Sequence, residues 1–427
     1  MSALAATAGG VAAGPAERTT RLGGWLFYVG IAVYFALSPQ TLFHMGIPYE
    51  APGGSPLAKV HPATWCVLLA YGLLLVARGN PIRVWGQQLA AEPLLTAYLA
   101  CMIFVLGWSL SRHGASGAAS IVDTLIVPFF CVSALGLLDG PRRSQCLKLI
   151  IFVLAFNALL AIVETMLQTK LIPLRISGQT ETAEEIFRPS ALLGHPLNNS
   201  MITATLLPVV LYLRIAMAWR VVLMLLLWVG LLSFGGRTGF VLATFAYALY
   251  FLGQLAVSAL RGRFSYLQLT GGAVLGSLGT GLLVAAIAVS GVGERIFKTL
   301  EWDGSASVRV QIWSVFDYLN DFDMLMGISP KEITAVGVRM GLSETEAIEN
   351  FWLMMFLQTG WIGFVPFVIA MACAFAWMWK SSRGAMRVAL LLFLAIGSSN
   401  NSLATKTITL VMFMVAVAIV RRQPIPD

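Results

Sequence analysis

"NFWLMMFLQTGWIGFVPFVIAMACAFAWMW", Asn350–Trp379, carries no charged side chain over its whole length, and Glu349 stands immediately before it. The run is continuous, so neither the alternation of a half-buried strand nor that of a β-barrel strand fits it. About 20 predominantly apolar residues cross the roughly 30 Å of a bilayer's hydrocarbon as a helix, and this run is long enough to do so.

Working outward, runs of the same kind recur along all 427 residues. They are predicted at 23–40, 62–78, 93–111, 118–138, 147–167, 198–213, 220–235, 238–256, 268–290, 350–379, 387–398 and 405–420, about twelve in all. Composition agrees: 58% of residues are hydrophobic, 11% are charged, and the mean hydropathy is +0.80. Those values exclude a water-soluble domain of this size. The expected class is an all-α integral membrane protein: a cytoplasmic tail over 1–22, one polytopic domain over 23–420 and a short cytoplasmic tail over 421–427. The N-terminal stretch up to Arg21 lacks a compact apolar core, so no cleavable signal peptide is expected.

Orientation follows from the basic residues of the short loops. With the N-terminus inside, Arg18 and Arg21, Arg78 and Arg83, Arg142 and Arg143, Arg214 and Arg220, Arg261 and Arg263, Lys380, Arg383 and Arg387, and Arg421 and Arg422 all fall on the cytoplasmic side. This topology accounts for most of the net charge of +8, and no basic face is interleaved with stacking aromatics, so no nucleic-acid partner is expected. Cys66, Cys101, Cys131, Cys146 and Cys373 lie in or beside spans without CxxC or His-Cys spacing. They suggest neither a disulfide framework nor a zinc site.

Two outer loops are long, at about 168–198 and about 291–349, and function is expected there. In the second, "SVRVQIWSVFDYL" sets Val308, Ile312, Val315, Phe316 and Leu319 at helical spacing, with Ser307 able to cap. Ser343 and Glu346 have capping-box spacing just before Glu349.

Four polar features need a reason. "EEIFRPSALLGHPLNNS" places Arg188, His195, Asn198 and Asn199 at the entry to the sixth span. "SFGGRTGF" puts Arg237 in a tight outward turn, against the positive-inside trend. Arg309 lies on the amphipathic segment beside Trp313, and Glu349 with Asn350 opens the tenth span. Each has a plainer reading taken alone: a snorkelling arginine, a surface turn, a solvated face, a helix cap. Together they supply three guanidinium groups and one carboxylate on one side of the membrane. Guanidinium forks hold phosphate oxygens bidentately, and a carboxylate can accept a proton from an attacking hydroxyl. His195, between Gly194 and Pro196, reads more as a turn residue than as a base. Asp321 and Asp323 in "NDFD" form the nearest approach to a metal-bridging pair, near the end of a surface helix, and no metal or other cofactor is expected. Asp123, within a span, is accounted for by Arg112 or by a capping role; Glu164 is also close to a span.

The order "RPSALLGHP", "SFGGRTG", "SVRVQIW…LMGIS", "ENFWLMMFLQTGWIGF" resembles the O-antigen ligase and Wzy-type polymerase superfamily of bacterial surface-polysaccharide synthesis, over residues 150–370. The chain also looks like the VpsF-type exopolysaccharide biosynthesis proteins. The resemblance implies twelve spans related to the GT-C glycosyltransferases, a location in the bacterial inner membrane and an active site facing the periplasm. It implies an undecaprenyl-diphosphate-linked oligosaccharide donor and a glycan acceptor within the lipid bilayer, with a flippase and chain-length or export proteins as partners.

Carried over by position, Arg188, Arg237 and Arg309 match the family's basic residues. His195, Asn199 and Asn350 join them around the substrate, and Gly327 matches a "GxG" segment only in part, since Ser329 replaces the second glycine. Glu349 stands where ligases commonly have the His of an "HN" pair. That departure favours a polymerase, in which Glu349 would act as base while the arginines stabilise the leaving diphosphate in a metal-independent, inverting transfer. A ligase acting on lipid A core is the alternative. A lipid-linked oligosaccharide flippase is the alternative from another class, and it would show inverted repeats or broken helices with polar residues at mid-membrane. A non-catalytic scaffold is the third.

Overall fold

The structure, a computed structural model, describes residues 14–50, 55–115, 118–173, 175–176, 179–180, 187–262, 311–342, 348 and 350–421. It is helical apart from one antiparallel pair of two-residue strands, β1 (Arg175–Ile176) and β2 (Gln179–Thr180). In order, α1 is Pro15–Ala36, α2 Pro39–His44, α3 Pro62–Val76, α4 Pro81–Ala91, α5 Pro93–His113, α6 Ala118–Leu137, α7 Gly140–Leu167, α8 Pro196–Leu206, α9 Met217–Ser233 and α10 Arg237–Leu260. After the segment 263–310 come α11 Asp321–Met326, α12 Pro330–Arg339, α13 Phe351–Ser381, α14 Ala385–Ser398 and α15 Thr409–Val420.

Among the described residues, α5, α6, α7, α10 and α13 are long and apolar enough to cross a membrane; α9, α14 and α15 are apolar but shorter. Eleven of the twelve predicted runs thus coincide with helical segments, and the run at 268–290 lies outside the described residues. The chain is a membrane-embedded helical bundle. The helix of α1 begins at Pro15, seven residues before the predicted end of the N-terminal tail at 22.

One end of the bundle carries the long loops; the other carries Arg78, Arg143 and Arg421. At the basic end, Arg78 donates to Leu137 O and Arg143 to Leu138 O, both at the last turn of α6, while Arg421 pairs with Glu92 at 2.8 Å. α15 forms the centre: almost every residue from Thr409 to Val420 is buried, on all sides of the helix. A helix apolar all round belongs inside a bundle rather than on its rim. It packs against α6, α7, α8 and α13.

α15 starts at Thr409, not at the predicted 405, and its twelve residues rise only about 18 Å. The connection 399–408 precedes it as chain that is irregular apart from the 3-10 turn Ser402–Ala404. Non-helical backbone at membrane depth needs protein partners. They are present: Asn400 O accepts from Phe351 N at 2.8 Å, Thr405 O from Thr124 Oγ1 at 2.8 Å, and Thr124 Oγ1 from Thr407 N at 3.1 Å. α6 is irregular for a related reason. Pro128 has no N–H, the helix widens to a π-turn over Ile121–Ile126, and the loosened carbonyls of Asp123 and Leu125 accept from the hydroxyls of Tyr34 and Tyr98.

The opening stretch is not one span. α13 is broken at Gly360, whose φ and ψ are 58° and −176°. Residues 361–381 form a 21-residue helix of about 31 Å, enough to cross hydrocarbon without help. α5 runs antiparallel to it: Glu92 accepts from Trp377 Nε1 at 3.0 Å at one end, and at the other Trp108 Nε1 donates to Thr359 O at 2.8 Å and His113 Nε2 to Gln358 O at 2.8 Å. Residues 351–359 are therefore a separate helical piece at the loop end.

What breaks the helix is the turn at Gly327. A Cβ on Gly327 would lie 2.6 Å from Gln358 O and 2.8 Å from Gly360 N, and one on Gly360 would lie 2.5 Å from the Leu325 carbonyl carbon. Only glycine at both positions lets the two backbones touch. Ile328 N completes the joint by donating to Leu357 O at 2.7 Å. The three carbonyls freed at the break, Leu357, Gln358 and Thr359, thus all find donors.

A small second core forms over this joint, from Ile312, Val315, Ile328, Ile333, Val336, Met340, Leu353, Phe356 and Leu357. The predicted amphipathic α-helix over 307–319 contributes to it, but its described part, Ile312–Tyr318, is a 3-10 helix. Val308 and the capping Ser307 lie outside the described residues, as do Ser343 and Glu346. Capping boxes are instead found at the start of α11, where Asn320 and Asp323 bond reciprocally, and of α12, where Ser329 and Glu332 do.

Candidate functional site

The entry to α8 gathers the candidate residues. His195 Nδ1 accepts from Leu197 N at 3.2 Å and caps the helix, which leaves the ring proton on Nε2. Asn199 is fully buried, and both ends of its amide are engaged: Nδ2 donates to Ser190 O at 2.6 Å, and Oδ1 accepts from Asn157 Nδ2 at 3.1 Å. Asn157 Oδ1 in turn accepts from Leu192 N at 2.9 Å. Asn199 therefore fastens the segment carrying Arg188 to α7 and α8.

Glu164, also fully buried, holds the same segment from below, accepting from Leu171 N at 2.8 Å and Ala191 N at 2.9 Å. Ala191 sits at φ 44°, a strained left-handed conformation for a residue with a Cβ. Gly194, at φ +80°, lies so close to Ser38 that a Cβ would stand 2.9 Å from its Oγ. Residues 187–195 are thus a tightly determined loop, half-exposed at Arg188 and closed at Ser190 and Ala191.

The "SFGGRTG" turn docks onto the next residue of α8. A Cβ on Gly236 would lie 2.5 Å from Ser200 Cβ, a Cβ on Gly239 would strike Ser200 Oγ, and Ser200 Oγ donates to Gly236 O at 3.4 Å. Arg237 is the first residue of α10 and half-buried. A cation there opposes the helix dipole, whose N-terminal end is positive, so its position is costly unless an anion lies near. In the folded chain Arg188, His195 and Arg237 each make further interactions.

Asn350 reaches the same region from the other side. Its Oδ1 accepts from Leu353 N at 3.0 Å and caps the 351–359 piece. Trp352 Nε1 donates to Ser398 Oγ at 2.8 Å, and the preceding Gly397 lies against Met201 of α8, where a Cβ would be 3.0 Å from the methionine methyl. The structure therefore brings the Arg188 loop and the Arg237 turn to the first turns of α8 and ties the Asn350 helix start to α8 through α14, at the end of the bundle that carries the long loops. Glu349 and Arg309 lie outside the described residues.

A second polar knot shares this end. Asp123, 1% exposed, accepts from Tyr49 OH at 2.8 Å, His61 N at 2.9 Å and Thr64 Oγ1 at 2.7 Å. Arg112, suggested by the sequence as its partner, instead stands over the Phe322 ring at 5.4 Å. The tie at the start of α3 is the capping-type role. Lys406 donates to Tyr49 O and Lys59 O at 2.6 and 2.8 Å, and its ammonium lies 4.0 Å from the Tyr49 ring. His61 is buried, which pushes its imidazole down to about 4 and keeps it neutral.

Among the described residues no group of three or more His, Cys, Asp and Glu could hold a metal ion. Asp323 is occupied in a reciprocal capping box with Asn320, and that accounts for its spacing from Asp321. Sequence reasoning missed Asn157 and Ser200, which position the site; an asparagine inside an apolar run was the available signal for Asn157. Comparison with known proteins assigns no family to the chain: no family model matches it, and no curated protein matches its sequence significantly.

Proposed function

We propose that the chain is a twelve-span inner-membrane glycosyltransferase that polymerises a bacterial surface polysaccharide. Its donor is an oligosaccharide on undecaprenyl diphosphate, and its acceptor is the hydroxyl of a growing glycan. The twelve spans are α1, α3, α5, α6, α7, α8 with its 3-10 extension Leu207–Tyr212, α9, α10, the run 268–290, residues 361–381, α14 and α15. Both termini are cytoplasmic, and the loop end faces the periplasm.

The observation that carries the reading is the meeting of the Arg188 loop and the Arg237 turn on the first turns of α8, with the Asn350 helix start tied to α8 through α14. In the proposed reaction the acceptor oxygen attacks the anomeric carbon, the bond from that carbon to the diphosphate oxygen breaks, and the configuration inverts. Glu349 takes the acceptor proton. Arg188, Arg237 and Arg309 stabilise the negative charge that grows on the leaving diphosphate, an interaction stronger in the transition state than in the bound donor. No step requires a metal. Transfer to lipid A core is the same chemistry with another acceptor.

The break at Gly360 is the feature a flippase would share, because broken helices line transport sites. Here it is filled by the Gly327 turn and by Trp108 and His113. That packing supports a joint rather than a substrate path. Purified full-length protein supplied with lipid-linked repeat units decides the matter: lengthened glycan supports the enzyme, movement across the bilayer without lengthening supports a flippase, and neither supports a scaffold.

A further inference from the structure

The basic end contains a cavity of about 330 Å³, on the opposite side of the bundle from the candidate site. Arg78, Arg143 and Arg421 line it, with Glu92 as the only acid among the described residues of its wall. The guanidiniums are held in place by the fold: Arg78 and Arg143 by the final carbonyls of α6, and Arg421 by Glu92, which Trp377 also engages. Three cations against one carboxylate leave the lining strongly positive. The floor is apolar, with Leu95, Phe129 and Val132.

α4 closes one side of this cavity, and the sequence alone gave it no element. It leaves α3 at a bend of 104°, so it runs across the bundle end rather than along the bundle. Val84, Gln87, Gln88 and Ala91, spaced as one helical stripe, face the cavity. Ile82 and Trp85 point away, 78% and 39% exposed. A short helix with an outward apolar face, a tryptophan and a perpendicular course lies in the membrane interface. The cavity therefore sits at headgroup depth.

A cationic rim, amide side chains and an apolar floor at that depth match an amphiphile with a phosphate head. We propose that the cavity binds one anionic phospholipid, whose phosphate is held by Arg78, Arg143 and Arg421 while its chains follow the apolar floor past α4. A soluble phosphate ester shares the head chemistry and lacks the chains. This inference is independent of the glycosyl-transfer reading.

The test is native mass spectrometry of the full chain, released from nanodiscs of mixed phosphatidylglycerol and phosphatidylcholine, counting retained lipids. One phosphatidylglycerol retained in preference to phosphatidylcholine is expected. Arg78→Gln and Arg421→Gln should each weaken retention about fivefold or more. Arg83→Gln, a basic residue of the same face outside the cavity wall, should not. Gly136→Leu keeps every charge and adds bulk at a residue that lines the cavity, where a Cβ would stand an acceptable 3.6 Å from Gln88 Nε2. It should abolish the retained lipid. Equal loss in Arg83→Gln, or undiminished retention in Gly136→Leu, would show general surface attraction and overturn the proposal. Displacement of the lipid by millimolar glycerol phosphate would identify a soluble ligand and overturn it equally.

Discussion

Replacing Gly360 by alanine drives a methyl group into the backbone of the 325–327 turn. At φ 58° and ψ −176° the residue occupies a region open essentially to glycine alone, and forcing another residue there costs about 1–3 kcal/mol. The new Cβ would lie 2.5 Å from the Leu325 carbonyl carbon, which is backbone and cannot rotate aside. The turn must withdraw, and the bond from Ile328 N to Leu357 O is lost, for about 1 kcal/mol more. Local opening becomes easier by about 3 kcal/mol, or roughly a hundredfold in population. Hydrogen exchange read on peptides covering 321–330 measures this directly, because the Ile328 amide is protected by that one bond. Exchange there should accelerate about a hundredfold while α15 and α6 keep their protection. Unchanged exchange in a well-folded Gly360→Ala protein would refute the joint.

Two further outcomes follow from packing and charge. Gly236→Ala should destabilise the Arg237 turn and lower transfer activity; the double variant Gly236→Ala with Ser200→Gly should recover most of the loss, because the clash is with the Ser200 side chain, and a double-mutant cycle by thermal melting and polymer yield shows the coupling. For His61, whose imidazole is held down at about 4 against an ordinary value near 6.5, the opened chain binds more protons than the folded one between those values. Its contribution is therefore complete above about pH 6.5 and is lost progressively as pH falls toward 4, up to about 3 kcal/mol, and melting temperatures of the wild type should drop across that window by more than those of His61→Gln.

The membrane bundle was legible because continuous apolar runs have a physical length to match. The break in α13 was not, because a lone glycine in an apolar run is compatible with an intact helix; its cause is tertiary, a second glycine at 327 arriving from a distant loop. The start of α15 was misplaced because the buried carbonyls of 399–408 are satisfied by Thr124, Phe351 and one another, partners that no local pattern announces. α4 was overlooked since it is short and its apolar residues face two ways. At the candidate site, Arg188 and Arg237 stood out as charges at span edges, and the folded chain brings both segments to α8. Asn199 and His195 were expected beside the substrate; in the structure Asn199 fastens the loop, and His195 caps the helix in keeping with its reading as a turn residue. Of the residues that hold these segments together, Asn157 had a sequence signal as an amide inside an apolar run, whereas Ser200 is an ordinary member of its helix and becomes visible only when α8 and α10 meet.

The central claim rests on Arg237. Removing one preorganised donor from a developing anion lowers rates on the order of a hundred- to thousandfold. In a reconstituted assay with lipid-linked repeat units, the account expects wild-type protein to lengthen the glycan and Arg237→Ala to lose that activity by at least a hundredfold, with unchanged membrane accumulation and melting temperature. Glycan lengthening at the wild-type rate by a well-folded Arg237→Ala protein would contradict it.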